Sequence, residues 1–256
     1  MKSPRLSVVI LTKDAEETVR DCLESIKWAD EIIIVDGFSS DGTLAICREY
    51  TDKIIQSEFK GFAEERNKGS DAAAGDWILQ LDADEVVTEA LARAIREAMV
   101  SPSDNAGYKF RRKNYFLGHP MRFGGWYHYS AHFFRRGMGR YEGLIHERLK
   151  LKGPQGIIEA EIEHRPFSSI SQFIERQNRY TNYEARDILN ERGIVDKEEV
   201  MRNLHSKPLK LFWKLYIKKQ GFREGRIGFV FCALYSYVHF TKWAKYWELT
   251  YGQQTQ

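Results

Sequence analysis

The sequence predicts an α/β protein with a mostly parallel sheet flanked by helices, a small antiparallel extension and a C-terminal helical appendage. Three observations lead to this fold class. The first 100 residues alternate short apolar runs with segments of helical apolar spacing. Residues 106–163 show strand patterns separated by Gly-rich and aromatic loops, and residues from 168 onward are mainly helical in pattern. Alternation of strands and helices favours a parallel sheet that is covered on both faces.

Within the first 100 residues, each predicted strand is a short apolar run and each predicted helix has apolar residues at helical spacing or a capping residue in front. Thr88 is one such capping residue, with Glu89 in the first turn favouring the helix dipole. The predicted strands are 6–11, 31–35, 53–56 and 77–81, and the predicted helices are 16–28, 41–50, 62–74 and 88–99.

The middle of the chain changes pattern. Strands are predicted at 108–116, 131–136 and 157–162, and a long polar helix at 168–192. Between them lies the loop Gly124-Gly125-Trp126, which is either a plain turn or a place where backbone approaches a ligand. We therefore expect one catalytic domain over residues 1–165, with a first half at 1–100 and a second half at 101–165, and a helical region over 166–256.

The C-terminal region combines aromatic and basic residues. Leu209, Phe212, Trp213, Tyr216 and Ile217 follow helical spacing, while Lys210, Lys214 and Lys218 line the other side. Residues 201–250 carry 10 Lys and Arg against 2 Asp and Glu, whereas residues 1–100 carry 12 against 21. A basic amphipathic helix rich in aromatics is typical of a segment in a membrane interface. The alternative is a pair of helices packed on the domain or in an oligomer interface.

Composition limits the classes of protein. The cysteines Cys22, Cys47 and Cys232 are scattered and odd in number, which argues against a disulfide framework or zinc site and favours a reducing compartment. The apolar run at 6–11 is too short for a signal peptide, and no stretch of about 20 apolar residues predicts a membrane span. The acidic N-terminal half argues against nucleic acid as a partner.

Polar residues follow several predicted strands. Thr12, Asp14, Asp36 and Asp82 all fall at strand ends, and parallel strands bring their carboxyl ends to one edge of the sheet, where such sheets bind ligands. Asp82 and Asp84 are spaced i, i+2, which on a strand aims both carboxylates to one side. A divalent cation carrying a diphosphate would relieve their repulsion. The alternative is a solvated acidic turn before the next helix.

Four motifs in order resemble the family 2 glycosyltransferases, which have the GT-A (Rossmann-like) fold. They are the strand ending at Thr12, the segment from Val35-Asp36 to Asp41-Gly42-Thr43, the segment Arg66-Asn67-Lys68-Gly69, and Gly75-Asp76 running into Asp82-Ala83-Asp84. The resemblance implies a UDP-sugar donor and a divalent metal, Mg²⁺ or Mn²⁺. Two departures are Lys13, where an aromatic is usual, and Asp14, where Asn is usual.

The resemblance implies roles for eight residues. Asp84 and the late histidine His164 would hold the metal. Glu147, in the segment 143–147, would be the general base that an inverting transfer needs for the acceptor hydroxyl. The nucleotide-sugar would be bound by Thr12 and Asp14 beside the base, Asp36 at the uracil or ribose, Arg66 at the base or diphosphate, and Asp82 at the ribose or a metal-bound water.

The tail from 221 to 249 is similar to that of a bacterial branch which places a β-linked glucose on the heptose of the lipopolysaccharide inner core. This implies a hexose, first of all glucose, moved to a lipopolysaccharide-core or other membrane-linked glycan by a cytoplasmic enzyme that is peripheral on the inner face of the bacterial inner membrane. Two other interpretations stay open: a nucleotidyltransferase, although residues 11–17 lack the expected glycine, and a non-catalytic sugar-nucleotide or membrane-surface binding module.

Overall fold

The computed structural model describes residues 3–143 and 147–252 and divides into two compact units. As far as these residues are described, the first unit takes 1–113 and 128–164, and the second takes 114–127 and 165–256. The strands are β1 (Leu6–Thr12), β2 (Glu31–Asp36), β3 (Ile54–Gln56), β4 (Trp77–Asp82), β5 (Glu85–Val87), β6 (Gly107–Phe116), β7 (His119–Met121), β8 (His128–Arg135), β9 (Gly139–Glu142), β10 (Arg148–Leu151) and β11 (Gln155–Phe167). The helices are α1 (Val19–Ser25), α2 (Thr43–Cys47), α3 (Phe62–Ala72), α4 (Glu89–Val100), α5 (Ile170–Arg192), α6 (Lys197–Leu204), α7 (Ser206–Trp213) and α8 (Gly225–Thr250).

The sheet of the first unit has a parallel half and an antiparallel half. Its strand order is β3-β2-β1-β4-β8-β6-β11-β5, with β1, β2, β3 and β4 parallel to their neighbours in that group. Antiparallel pairing begins where β4 meets β8 and continues between β8 and β6. The predicted parallel sheet with an antiparallel extension is confirmed, and the extension continues the same sheet. A separate two-stranded sheet pairs β9 with β10.

Both faces of the parallel half are buried, which explains its uninterrupted apolar strands. Along β1, Val8 and Ile10 belong to one core cluster with residues of α1 and α4, whereas Val9 between them belongs to a second cluster on the other face. Successive side chains of a strand point to opposite faces, so a strand covered on both sides reads as a continuous hydrophobic run.

Glu31 joins several segments at the start of this sheet. It is buried, and its carboxylate accepts hydrogen bonds from Ser7 of β1, from Lys53 just before β3, and from the backbone N–H of Ala74 at 2.8 Å. Although burial by itself raises its pKa, these donors lower the pKa to about 2. Glu31 is therefore ionised at neutral pH, and its role is to hold these segments together.

The second unit has two apolar clusters of its own. One gathers Phe116, Phe167, Phe173 and Phe231, and the other gathers Trp243 and Tyr246 of α8 with residues of α5 and α6. Glu224 anchors the loop after β7, because its carboxylate accepts from the backbone N–H groups of Arg122 and Phe123, both at 2.7 Å, and lies 2.8 Å from His119 Nε2.

The Gly-rich loop belongs to this second unit. Gly124 and Gly125 have φ of 78° and 83°, in the left-handed region that favours glycine. The N–H of Gly124 donates to Lys219 O at 2.8 Å. The loop is thus a turn held against the segment that follows α7.

The C-terminal helices differ in length from the predicted ones. The helix at 209–217 is α7 followed by π-helical backbone at Lys214–Lys218 and a 3₁₀ turn at Gly221–Glu224. The mainly apolar residues 227–240, which the sequence predicts as a further helix of this region, lie within α8, which has 26 residues. Within the described part of the chain, no helix combines the length and the apolarity needed to cross a membrane.

Candidate active site

The ends of β1 and β2 form the first part of the site. Thr12 and Asp36 are paired in register, and Thr12 Oγ1 donates to Asp36 Oδ1 at 2.9 Å. Ser39 donates to the same carboxylate through its N–H at 2.9 Å and its hydroxyl at 2.6 Å. Asp36 is fully buried. It therefore shapes the turn after β2, and any ligand would share its oxygens with Ser39.

Asp14 connects the loops that follow β1 and β2. Its backbone has φ of 46°, and its carboxylate accepts from Ser40 N at 2.8 Å and Ser40 Oγ at 3.1 Å. The backbone hydrogen bond from Ser40 is the largest cause of its lowered pKa. Next to it, Phe38 also has a left-handed φ of 61° and leaves its ring 51% exposed. The motif has Lys13 where an aromatic residue is usual, and the sequence did not indicate that the Phe38 ring provides an aromatic surface at the same edge.

The end of β4 carries the acidic motif. Asp82 is the last residue of β4, and Asp84 follows in a turn, so strand alternation does not extend to it. The strand alternation from which we predicted that both carboxylates point to one side is therefore not present at Asp84. Asp82 is ion-paired with Arg66 at 2.6 Å and with Arg112 at 3.0 Å, while Asp84 Oδ1 lies 3.3 Å from His164 Nε2.

Burial and neighbouring charges shift the pKa values of Asp82, Glu85 and His164 in different directions. Burial alone raises the pKa of Asp82, but the charges of Arg66 and Arg112 outweigh it and hold that pKa well below its usual range. Burial raises the pKa of Glu85 to about 7, although Arg112 Nε lies 2.9 Å from Glu85 Oε1. Burial also lowers the pKa of His164, which favours the neutral imidazole that a metal needs as a ligand.

Arg66 connects the acidic motif to the candidate base. Its side chain is 3% exposed, its Nη2 contacts Asp82, and its Nε donates to Glu147 Oε1 at 3.1 Å. Its Nη1 is buried and has no hydrogen-bond partner among the described residues. A buried guanidinium nitrogen without a partner is costly unless a ligand supplies an acceptor. Arg66 thus has one NH₂ group, at Nη1, that is suited to an anion.

The residues that follow Arg66 in α3 fix the position of this helix and of Arg66 itself. Asn67 exchanges two 2.9 Å hydrogen bonds with the backbone of Tyr141, which attaches β9 to α3. A Cβ atom on Gly69 would lie 2.2 Å from Val9 Cγ1, so α3 approaches β1 as closely as only glycine allows. The close approach of helix to sheet carries Arg66 to the end of β4.

Gly75 and Asp76, the first residues of the fourth motif, lie away from the site and connect β1 to β4. Asp76 Oδ2 accepts from Arg5 N at 2.8 Å, and Gly75 N donates to Ser7 Oγ at 2.8 Å. Both residues align the starts of β1 and β4, far along these strands from the ends where Thr12 and Asp82 lie. This half of the fourth motif is structural.

The structure brings the predicted residues into two groups within the first unit. Thr12, Asp14 and Asp36 share the loops after β1 and β2, and a second group contains Arg66, Asp82, Asp84, Glu147 and His164. The rest of the acceptor segment, Leu144 to His146, lies outside the described residues. Sequence reasoning missed Arg112 and Glu85 as members of the second group.

From the sequence, Arg111, Arg112, Arg135 and Arg136 are predicted to form a basic patch suited to a phosphorylated acceptor, the alternative being a solvated face, but the structure gives them separate surroundings. Arg112 pairs with the carboxylates of Asp82 and Glu85, and Arg111 lies 3.9 Å from the centre of the Tyr129 ring. Arg135 lies over Trp77, and Arg136 donates to Gly75 O at 2.8 Å. A shared phosphate-binding patch of these four residues is not formed.

The donors at Asp84 and His164 fit a divalent metal that takes its other ligands from a substrate. They offer one carboxylate oxygen and one imidazole nitrogen, both on side chains that are nearly buried. Among the described residues, no group of three or more His, Cys, Asp or Glu side chains forms a complete metal site. Mg²⁺ is commonly held by one or two protein ligands together with phosphate oxygens and waters.

Comparison with known proteins gives the family context. The family model described as Glycosyl transferase family 2 matches residues 7–149. A lipopolysaccharide core biosynthesis glycosyltransferase, LpsC, of Rhizobium meliloti is 26% identical over 243 residues, covering 88% of this chain and 85% of LpsC. An uncharacterized glycosyltransferase of Rickettsia felis is 21% identical over 256 residues, covering 94% of this chain and 89% of that protein.

Among solved structures, the chain resembles the mannosyltransferase PcManGT of Pyrobaculum calidifontis, which was determined in complex with GDP-Man and Mn²⁺. The TM-score is 0.51 at 14% identity, and the match covers 96% of this chain and 88% of that one. At this identity the likeness concerns the fold.

Proposed function

Since the chain belongs to glycosyl transferase family 2 and is a glycosyltransferase of the GT-A fold, we propose that it moves a hexose from a UDP-sugar to an acceptor hydroxyl, with inversion at C1. Glucose is the first candidate for the hexose. The acceptor is a lipopolysaccharide-core or other membrane-linked glycan. The observation that carries this is the contact of Arg66 with both Asp82 and Glu147. One guanidinium thereby joins the acidic motif of the donor side to a carboxylate suited to deprotonate an acceptor. The resemblance to LpsC supports the choice of glycan.

The uridine would lie at the ends of β1 and β2. Thr12, Asp14 and Asp36 border this edge, and the half-exposed ring of Phe38 offers a surface on which a base can stack. Asp82 would face the ribose or a metal-bound water. Aromatic stacking tolerates different bases, so preference for uracil would come from hydrogen bonds at this edge.

Asp84 and His164 would hold Mg²⁺ or Mn²⁺, which when bound supplies Lewis-acid stabilisation of the leaving diphosphate. The chain itself also contributes a cation, the guanidinium of Arg66. Nη1 of Arg66, which has no hydrogen-bond partner among the described residues, would donate to an anionic oxygen, while Nη2 and Nε already contact two carboxylates. Arg66 would thus bind and orient the diphosphate.

Glu147 would act as the general base. In an inverting transfer, the acceptor hydroxyl attacks C1 from the face opposite the diphosphate, its proton passes to a Glu147 carboxylate oxygen, and the bond from C1 to the diphosphate oxygen breaks. Glu147 is 17% exposed on its side chain, which leaves access for an acceptor. Its contact with Arg66 Nε holds the carboxylate in position.

A membrane-linked acceptor requires the enzyme at a membrane. We propose catalysis in residues 1–165 and attachment through the helical region 166–256, at the cytoplasmic face of the bacterial inner membrane. Support comes from the excess of basic residues and the exposed aromatic rings of the segment after α6.

Calorimetric titration with UDP, UDP-glucose and other sugar nucleotides, with and without Mn²⁺, tests the donor site. We expect metal-dependent binding of UDP that is lost in Asp84→Ala and kept in the control Asp52→Ala, an exposed carboxylate outside the site. The ranking of donors would name the sugar. Binding of UDP that ignores both metal and Asp84 would overturn the metal site, and absence of binding by any uridine nucleotide would overturn the donor class.

A further inference from the structure

An exposed apolar surface runs along α7, the π-helical segment and the start of α8. Five of its side chains are large, hydrophobic and at least one-third exposed: Leu209 at 73%, Trp213 at 57%, Ile217 at 37%, Phe222 at 48% and Phe229 at 52%. Large apolar side chains that cluster on a surface mark an interaction site more often than scattered ones do. We call this set, with the basic residues around it, the 209–229 surface.

Two sets of contacts connect members of this surface, and Leu209 and Phe212, which line a common depression, join the two sets. Phe229 lies edge-to-face with Phe212 at 5.6 Å and with Tyr216 at 5.8 Å, and Phe222 lies 6.2 Å from Tyr216. Leu209 and Trp213 line one surface depression together with Lys210, Lys214 and Lys218. Aromatic rings and lysine side chains therefore border the same area.

The backbone under the surface is closely packed. A Cβ atom on Gly228 would lie 2.0 Å from Gly221 O, and a Cβ atom on Gly221 would lie 2.7 Å from Cys232 Sγ. Gln220 takes the left-handed conformation between the π-helical segment and the 3₁₀ turn. Through these contacts the segment packs against α8. The chain alone therefore holds its exposed apolar side chains in position, with no bound molecule needed.

The charge around this surface is of one sign. Six exposed basic residues flank it: Lys210, Lys214, Lys218, Lys219, Arg223 and Arg226. The one carboxylate in the same stretch, Glu224, is turned inward and accepts from the N–H groups of Arg122 and Phe123. A second copy of the chain would bring like charges together, whereas an anionic lipid surface would neutralise them.

We propose that the 209–229 surface docks on an anionic bilayer, with Trp213, Leu209 and Phe229 entering the interface and the flanking lysines and arginines contacting lipid headgroups. This inference rests on the proposed membrane association and narrows it to one surface. Buried apolar area and attraction to anionic headgroups both contribute to such binding. Each basic residue near an anionic leaflet contributes roughly fivefold in affinity, so the lysines make binding depend on salt.

Vesicle flotation of the full chain tests the proposal, with vesicles of phosphatidylcholine alone and vesicles that also contain phosphatidylglycerol. We expect binding to the anionic vesicles that weakens as salt is added. The triple variant Lys210→Gln, Lys214→Gln, Lys218→Gln should bind roughly a hundredfold more weakly, at about fivefold per charge. The matched control Lys60→Gln, Lys152→Gln, Lys197→Gln removes three exposed lysines elsewhere and should bind like the unaltered chain.

The apolar contribution has its own pair of variants. Trp213→Ala should weaken binding, and Ile194→Ala, at a side chain 71% exposed outside the surface, should not. UDP titration of every variant shows whether the donor site is intact. Equal binding by the two lysine triples, or concentration-dependent self-association that Trp213→Ala abolishes, would overturn the proposal. Failure to bind any vesicle while UDP still binds would overturn it and leave the transferase assignment standing.

Discussion

Individual side chains in the site are defined by their partners. Glu147, Arg66, Asp82, Arg112 and Glu85 form a row in which acids and bases alternate, with contacts between 2.6 and 3.1 Å. Removing one member of a buried charged row leaves its neighbours uncompensated, so such changes affect stability as well as function. Changes that keep shape are therefore the informative ones here.

Glu147→Gln keeps the shape of the side chain and removes the proposed general base. We expect kcat to fall by roughly 10²–10⁴, the range for loss of a general base, while the affinity for UDP stays nearly the same. A coupled assay of UDP release measures the rate, and calorimetry measures the affinity. Glu142→Gln is the control, because Glu142 is exposed and pairs with Lys150. Unchanged turnover in Glu147→Gln would assign the base to another residue.

His132 predicts a dependence of stability on pH. Burial, with the charge of Arg66, lowers its pKa from 6.5 to about 3, and its Nδ1 lies 2.9 Å from Tyr141 Oη. Between these values the unfolded chain binds a proton that the folded protein does not, so stability decreases as pH falls below about 6.5. From pH 7 to 5 the loss should be roughly 1–2 kcal/mol.

Urea denaturation at several pH values checks this, with His132→Asn as the test and the exposed His205→Asn as the control. The free energy of unfolding of His132→Asn should vary less with pH between 5 and 7 than that of the unaltered protein. The same slope in both proteins would show that His132 does not carry the effect.

At the scale of elements, α3 is the piece that joins sheet and site. Gly69 allows its contact with β1, and Asn67 attaches β9 to it. Gly69→Ala would place a Cβ 2.2 Å from Val9 and 3.0 Å from Val35, so the helix must move. We expect a loss of roughly 1–3 kcal/mol in the free energy of unfolding, as for other overpacked cores.

Gly37→Ala is the matched control for this change. Its added Cβ would meet nothing closer than 3.4 Å, which is ordinary contact, so it should leave stability nearly unchanged. Both variants are compared by urea denaturation. Equal stabilities would mean that α3 can shift away from β1 without loss.

The sequence predicted those elements whose pattern is local. The helix capped by Thr88 is confirmed, since Thr88 Oγ1 accepts from Leu91 N at 3.2 Å, and the strand at 77–81 extends one residue further. Strands of three or four residues, such as β5, β7, β9 and β10, are too short to show a period. The place of Arg112 depends on β6 pairing with β8 and β11, a non-local arrangement that no spacing in the sequence reveals.

At the scale of the whole molecule, each unit has its own apolar clusters, and charge is distributed unevenly along the chain. All eight predicted site residues lie in the first unit, while the 209–229 surface lies in the second. Donor binding and lipid binding can therefore be measured separately.

Donor and metal should stabilise the folded protein. At a ligand concentration 100 times Kd, binding adds about 2.7 kcal/mol to the free energy of unfolding. We expect UDP with Mn²⁺ to raise Tm by several degrees in a chain of this size, and a chelator to reverse the rise. Thermal unfolding measures it, with each variant compared with its own ligand-free Tm. Asp84→Ala should show no rise with Mn²⁺, and a full rise there would place the metal elsewhere.

Arg66 also has a kinetic consequence. Because one guanidinium contacts both Asp82 and Glu147, we expect Glu147, the proposed base, to stay engaged with Arg66 until a nucleotide-sugar arrives to take up part of the positive charge. The two substrates are then expected to add in compulsory order, donor before acceptor.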